Sequence, residues 1–151
     1  MTLRIAGIRA TVCGLIALAC QTTQPLSPPL NAALVQTCAP FDGPAIALFL
    51  TDQPAVATYP QPPYSGITIY RSVSEVLDRQ FDVSPATQNL GSAQICPATG
   101  ECQTAKAASV TFRGLAADST VEVTYRLEPT SGKPITGQGR ARLHPAAGMC
   151  G

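Results

Sequence analysis

His144 is the only histidine in the chain, so any Ser-His-Asp or Cys-His chemistry would have to run through it. No Gly-x-Ser-x-Gly elbow accompanies it. It sits just past the last apolar alternation and before Pro145, where a solvated polar side chain is expected. Glu75, Asp78 and Asp82 lie close enough in sequence to suggest the paired carboxylates of a glycosidase. Glu75 and Asp78, however, are spaced as neighbours on the wet side of a short helix. Gly137-x-Gly139 lacks the third glycine and the strand-turn-helix setting of a dinucleotide loop. Cys96 and Cys102 with His144 do not match the Cys-x2–4-Cys spacing of a zinc site. The chain is therefore expected to be non-catalytic, with no metal and no cofactor. A small enzyme built on His144 is the weaker alternative.

The N-terminus carries a different kind of chemistry. Arg4 and Arg9 precede the uncharged run from Ala10 to Ala19, which ends in small residues and gives way to Gln21-Thr22-Thr23-Gln24-Pro25. A positive start, a short apolar stretch and an Ala-x-Ala boundary make a secretory leader. A spanning helix would need roughly 20 apolar residues. Leu15-Ile16-Ala17-Leu18-Ala19-Cys20 further resembles the lipobox of bacterial lipoproteins, with Ala17 where that motif usually has leucine. The resemblance covers the first twenty residues or so. It implies cleavage before Cys20 and acylation of its sulfur, a diacylglycerol anchor with palmitate-type chains. With Gln21 in place of Asp, it also implies sorting to the outer membrane. Ala17-Leu18-Ala19 equally suits the ordinary signal peptidase, which would cut the same bond and leave a soluble periplasmic protein.

Cysteine parity bears on this choice. Removing residues 1–19 takes Cys13 away and leaves Cys20, Cys38, Cys96, Cys102 and Cys150. An odd thiol in an oxidising compartment is a free or intermolecular cysteine. Acylating Cys20 removes the oddity and leaves four cysteines for two disulfides. Pro97 and Gly100 favour a turn between Cys96 and Cys102, so that pair is expected to close locally. Cys38 is then left to join Cys150.

The elements that would carry these residues read as mainly β. The expected organisation is a leader over 1–19, a proline-rich tether over 20–37 and a single domain over 38–151. Pro44–Leu50 is an apolar run suited to a central strand, and Gly66–Tyr70 a second strand. Shorter strands are expected over 81–84 and 92–96, and a clearer one over 108–115. Between them, Val73, Val76 and Leu77 fall at helical spacing behind a Ser72/Glu75 capping box, which predicts a short helix near 72–80. Val121, Val123, Tyr125 and Leu127 alternate with polar residues, and a second alternation follows from Ile135 to Leu143. These two segments predict an antiparallel hairpin with Leu127 opposite Ile135, Tyr125 over Gly137 and Glu122 opposite Arg140. The sum is a small antiparallel β-sandwich, or short barrel, of six to eight strands with two disulfides.

Charge excludes some functions and leaves two surfaces. Only 13% of residues are charged, against about a quarter in ordinary soluble proteins. Losing Arg4 and Arg9 with the leader moves the formal charge from +1 to one net negative charge, so nucleic acid is not an expected partner. Arg113, Arg126, Arg140 and Arg142 are expected to share one polar face, balanced by Glu122 and Glu128. That face could meet an anionic envelope partner such as a lipid head group or a peptidoglycan carboxylate. Tyr59-Pro60-Gln61-Pro62-Pro63-Tyr64 is a polyproline-like segment between tyrosines, a shape that partners dock against. The reading is a lipid-anchored, non-catalytic binding or envelope-assembly module. An inhibitor of a hydrolase such as lysozyme, using a protruding Tyr59–Tyr64 loop, is the alternative.

Overall fold

The computed structural model describes residues 31–54, 59–145 and 150. The leader and Cys20 lie outside them. Among the described residues, nine strands form one sheet: β1 (Asn31–Cys38), β2 (Pro44–Thr51), β3 (Tyr64–Ile69), β4 (Arg79–Val83), β5 (Gly91–Cys96), β6 (Gln103–Thr104), β7 (Ala107–Arg113), β8 (Thr120–Glu128) and β9 (Ile135–His144). A one-turn helix, α1 (Val73–Val76), and a 3-10 turn, Pro85–Thr87, complete the set. The spatial order is β4-β7-β8-β9-β1-β2-β3-β5-β6.

Side-chain alternation explains why the sheet curls. In β8 the residues Val121, Val123, Tyr125 and Leu127 point inward, while Glu122, Thr124 and Arg126 point out. Val110 and Phe112 of β7 and Ala141 of β9 share that inner face. Leu34 of β1, Ile46 and Leu48 of β2, and Ile67 and Ile69 of β3 belong to the same core cluster. Strands from both halves of the sheet thus bury one common core, which requires the sheet to wrap around it. The wrap brings β4 beside β5 without ladder pairing between them. The fold is mainly β, as expected, and is one curled sheet, closer to the short barrel than to two stacked layers. The strand count is nine rather than six to eight, the additions being β1 and the two-residue β6.

Several sequence expectations hold in detail. Leu127 pairs with Ile135, Tyr125 with Gly137 and Glu122 with Arg140. A Cβ placed on Gly137 would lie 2.7 Å from Cζ of Tyr125, so the ring does lie over bare backbone. Cys96 is bonded to Cys102 and Cys38 to Cys150. The second bond follows from topology. β1 and β9 are the sheet's parallel pair, with Val35 opposite His144, so both chains run out of the sheet in the same direction. Three residues beyond Val35 and six beyond His144, the two cysteines meet at a Cα separation of 5.5 Å.

Two expectations need correction. The domain does not begin near Cys38: residues 31–37, assigned to the tether, are strand β1, paired along its whole length with β2. The helix near 72–80 stops after one turn. Glu75 caps it as expected, accepting from the Ser72 N–H at 2.9 Å and the Ser72 hydroxyl at 2.6 Å. Leu77 is already extended at ψ 138°, which ends the helix, and Asp78 follows with a left-handed φ of 59° that an aspartate tolerates. Its N–H donates to Phe112 O at 2.8 Å, and its carboxylate accepts from the Gly114 N–H at 3.2 Å. These bonds turn the chain into β4, so residues 79–83 are strand.

Candidate functional site

The curl leaves a seam where β4 faces β5 and β6, and a cleft of about 530 Å³ lies along it. Consecutive elements build it. The chain leaves β4 at Val83, passes through the 3-10 turn and enters β5 at Gly91, so the connection itself forms one wall. Gly91 is required at this point, because a Cβ there would lie 3.2 Å from the Thr68 carbonyl carbon and closer still to its oxygen. Four rings edge the cleft: Pro40, Phe41, Tyr70 and Pro85. A volume of this size falls within the roughly 300–1,000 Å³ of small-molecule sites.

Phe41 is the residue that folding does not explain. It sits in the β1–β2 turn and is 91% exposed. Burying a side chain of this size stabilises a protein by about 1.5–3 kcal/mol, and this one contributes none of that to the core. The turn holds it firmly. The Ala39 N–H donates to Gly43 O at 2.7 Å and the Asp42 N–H to Ala39 O at 3.2 Å, with Asp42 at a φ of 60°. Cys38 and Pro44 pair immediately below, and the Cys38–Cys150 bond anchors the base of the hairpin. The sequence reading missed Phe41. Its signal was a lone aromatic within the turn sequence Ala39-Pro40-Phe41-Asp42-Gly43.

The tyrosine-proline segment behaves differently from a protruding loop. β2 is buried on both faces, and its outward Phe49 is covered by the rings of Tyr59 at 4.8 Å and Tyr64 at 5.5 Å, both edge-on. The Tyr64 hydroxyl accepts from the Gln94 side-chain amide at 3.0 Å, and burial pushes its pKa up. Val35, Ala47 and Phe49 thus form a second apolar cluster outside the barrel, packed against Tyr64. Tyr59 remains about half exposed, and Tyr64 less so.

The four arginines do share the outward face of β7–β9, but they are interleaved with acids. Arg113, Glu122 and Arg140 sit in one row across the three strands. Arg126 bonds Glu128 at 2.9 Å, and Arg140 approaches Asp118 at 3.7 Å while donating to the Thr120 hydroxyl at 2.6 Å. Asp118 is held below the usual carboxylate range, chiefly by the hydrogen bond from the Thr120 hydroxyl. Among the described residues Arg113 and Arg142 make no ion pair, and the face is mixed rather than cationic.

His144 ends β9 beside Val35, half-buried, and its Nε2 is buried with no hydrogen-bond partner among the described residues. A general base must be hydrogen-bonded to the group it activates. The three carboxylates weighed as a glycosidase pair are engaged in local structure: Glu75 caps α1, Asp78 caps the turn at Gly114, and Asp82 accepts from Gln80. No group of three metal-ligating side chains occurs among the described residues. No protein-family model matches the chain, and no curated protein or solved structure is significantly similar to it.

Proposed function

We propose that this chain is an exported lipoprotein, acylated on Cys20 and held at the periplasmic face of the outer membrane. Its β domain would act there as a non-catalytic binding module for an envelope partner. The observation that supports this reading is the use of the cysteines. Cys38, Cys96, Cys102 and Cys150 are all engaged in disulfides, so the odd thiol of the processed chain falls on Cys20, at the end of a leader-like segment. Disulfides are a mark of oxidising compartments. β1 begins at Asn31, so residues 31–37 belong to the β domain rather than to the tether. The Tyr59–Tyr64 segment, laid on Phe49, favours a covering strap over an inhibitory loop.

The test is expression in a bacterial host with the chain's own leader and radiolabelled palmitate. The protein should carry label and fractionate with the outer membrane, and Cys20→Ser should abolish both. An unlabelled, soluble wild-type protein would overturn the anchor.

A further inference from the structure

We infer that the seam cleft binds an uncharged saccharide, with Phe41 as its stacking platform. This deepens the binding-module reading and rests on it. The cleft is lined without a single charged side chain, although Arg79 and Asp82 are exposed on β4 beside it. An anionic or cationic ligand would therefore find no counter-charge there. What the lining offers is rings and neutral hydrogen-bonding groups. The polar side chains are Tyr70, Ser84, Gln88, Asn89, Ser92 and Thr104: two amides, three alcohols and a phenol.

That combination matches sugar chemistry. A pyranose ring has a face of C–H groups that packs against an aromatic ring, and a rim of hydroxyls that both donate and accept. Amides supply a donor and an acceptor in one side chain, and hydroxyls supply both from one atom. A purely apolar ligand would leave six polar side chains to be desolvated without partners, which disfavours it. The preorganised Ala39–Gly43 turn presents the Phe41 ring at the rim, with Tyr70 also lining the cleft, so little ordering is required on binding. The exposure of Phe41, unexplained by folding, is accounted for by a ligand that covers it.

The experiment is a titration of the oxidised, processed protein by two-dimensional amide NMR. The probes are chitotriose and maltotriose, both uncharged, with a capped apolar tripeptide as the comparison. The expected result is saturable shifts at Phe41, Gln88, Gly91, Ser92 and Thr104 with at least one saccharide, with Kd on the order of 1 mM. Phe41→Ala should weaken binding about three- to tenfold, the worth of one aromatic contact, while the rest of the spectrum keeps its fold. The paired change Gln88→Ala with Asn89→Ala should do likewise. If the tripeptide shifts these amides and neither saccharide does, the ligand class is wrong and the binding module survives. If no probe perturbs the seam, or Phe41→Ala leaves saccharide binding unchanged, the inference falls. If the seam stays silent and the full-length lipoprotein also retains no envelope component, the binding-module reading falls with it.

Discussion

Gly137 and Gly139 lie two residues apart on β9, facing the same side, yet their environments predict opposite responses to one added methyl group. A Cβ on Gly137 would lie 2.7 Å from Cζ of Tyr125 and closer still to its hydroxyl. Tyr125 is 9% exposed, so the ring has little freedom to retreat. Forcing a methyl group into such a contact costs about 1–3 kcal/mol. A Cβ on Gly139 meets nothing within 4 Å. There alanine restricts the unfolded chain and stabilises by about 0.4–1 kcal/mol. For a domain of this length each kcal/mol moves the melting temperature by about 4 °C. Gly137→Ala should therefore lower Tm by roughly 4–12 °C, and Gly139→Ala should raise it by roughly 2–4 °C. Thermal and urea unfolding of the oxidised domain would measure both. A Tyr125→Val background, which removes the ring, should erase most of the Gly137→Ala penalty. If Gly137→Ala is neutral, or its cost persists without Tyr125, the ring does not cover that glycine and the hairpin packing described here is wrong.

Other perturbations probe other parts. Replacing Cys38 and Cys150 by alanine opens a link spanning 112 residues and should cost about 4.8 kcal/mol in the chain-entropy view, against about 2.4 for Cys96 and Cys102; urea midpoints would rank them. Gly91→Ala drives a Cβ into the backbone of Thr68, which cannot swing aside as a side chain can, and should cost more than Gly137→Ala in the same urea assay. The hydrogen bonds from Ser72 hold the Glu75 carboxyl below its ordinary 4.5, so its contribution is complete above that value and is lost as pH falls through the lowered folded pKa. Glu75→Gln should therefore reduce stability slightly at neutral pH and flatten part of the acid-side loss, read from urea midpoints across the pH range. Replacing Arg113 and Arg142 by glutamine should change stability by no more than about 0.5 kcal/mol, read from urea midpoints, because neither makes an ion pair among the described residues.

The hairpin of β8 and β9 was legible because one face is buried and the other wet, so a shift of one residue would have inverted both strands. The core strand β2 was legible as an unbroken apolar run. β1 was not: Asn31–Cys38 has no alternation, because Leu34 faces the barrel core and Val35 the outer cluster, and it follows directly on proline-rich sequence. The early end of α1 comes at Leu77, which turns extended at ψ 138° just before the left-handed Asp78, and nothing in the local apolar spacing announces that turn. Parallel pairing of β1 with β9 joins segments a hundred residues apart and leaves no local trace, although the Cys38–Cys150 pairing was its indirect signature. The seam cleft was illegible for the same reason. Its walls come from four separate stretches of chain, and an aromatic in a turn reads as buried or exposed only once the turn is placed.

The central claim, a doubly bridged domain anchored through Cys20, is tested most directly by intact mass. The protein would be extracted from membranes of a bacterial host using its own leader, then weighed before and after reduction with alkylation. The expected species begins at Cys20, carries acyl chains, and takes up alkyl groups on Cys38, Cys96, Cys102 and Cys150 only after reduction. A chain that begins at Cys20 with a free, alkylatable thiol and no lipid would contradict the anchor, and alkylation of the other four before reduction would contradict the bridged fold.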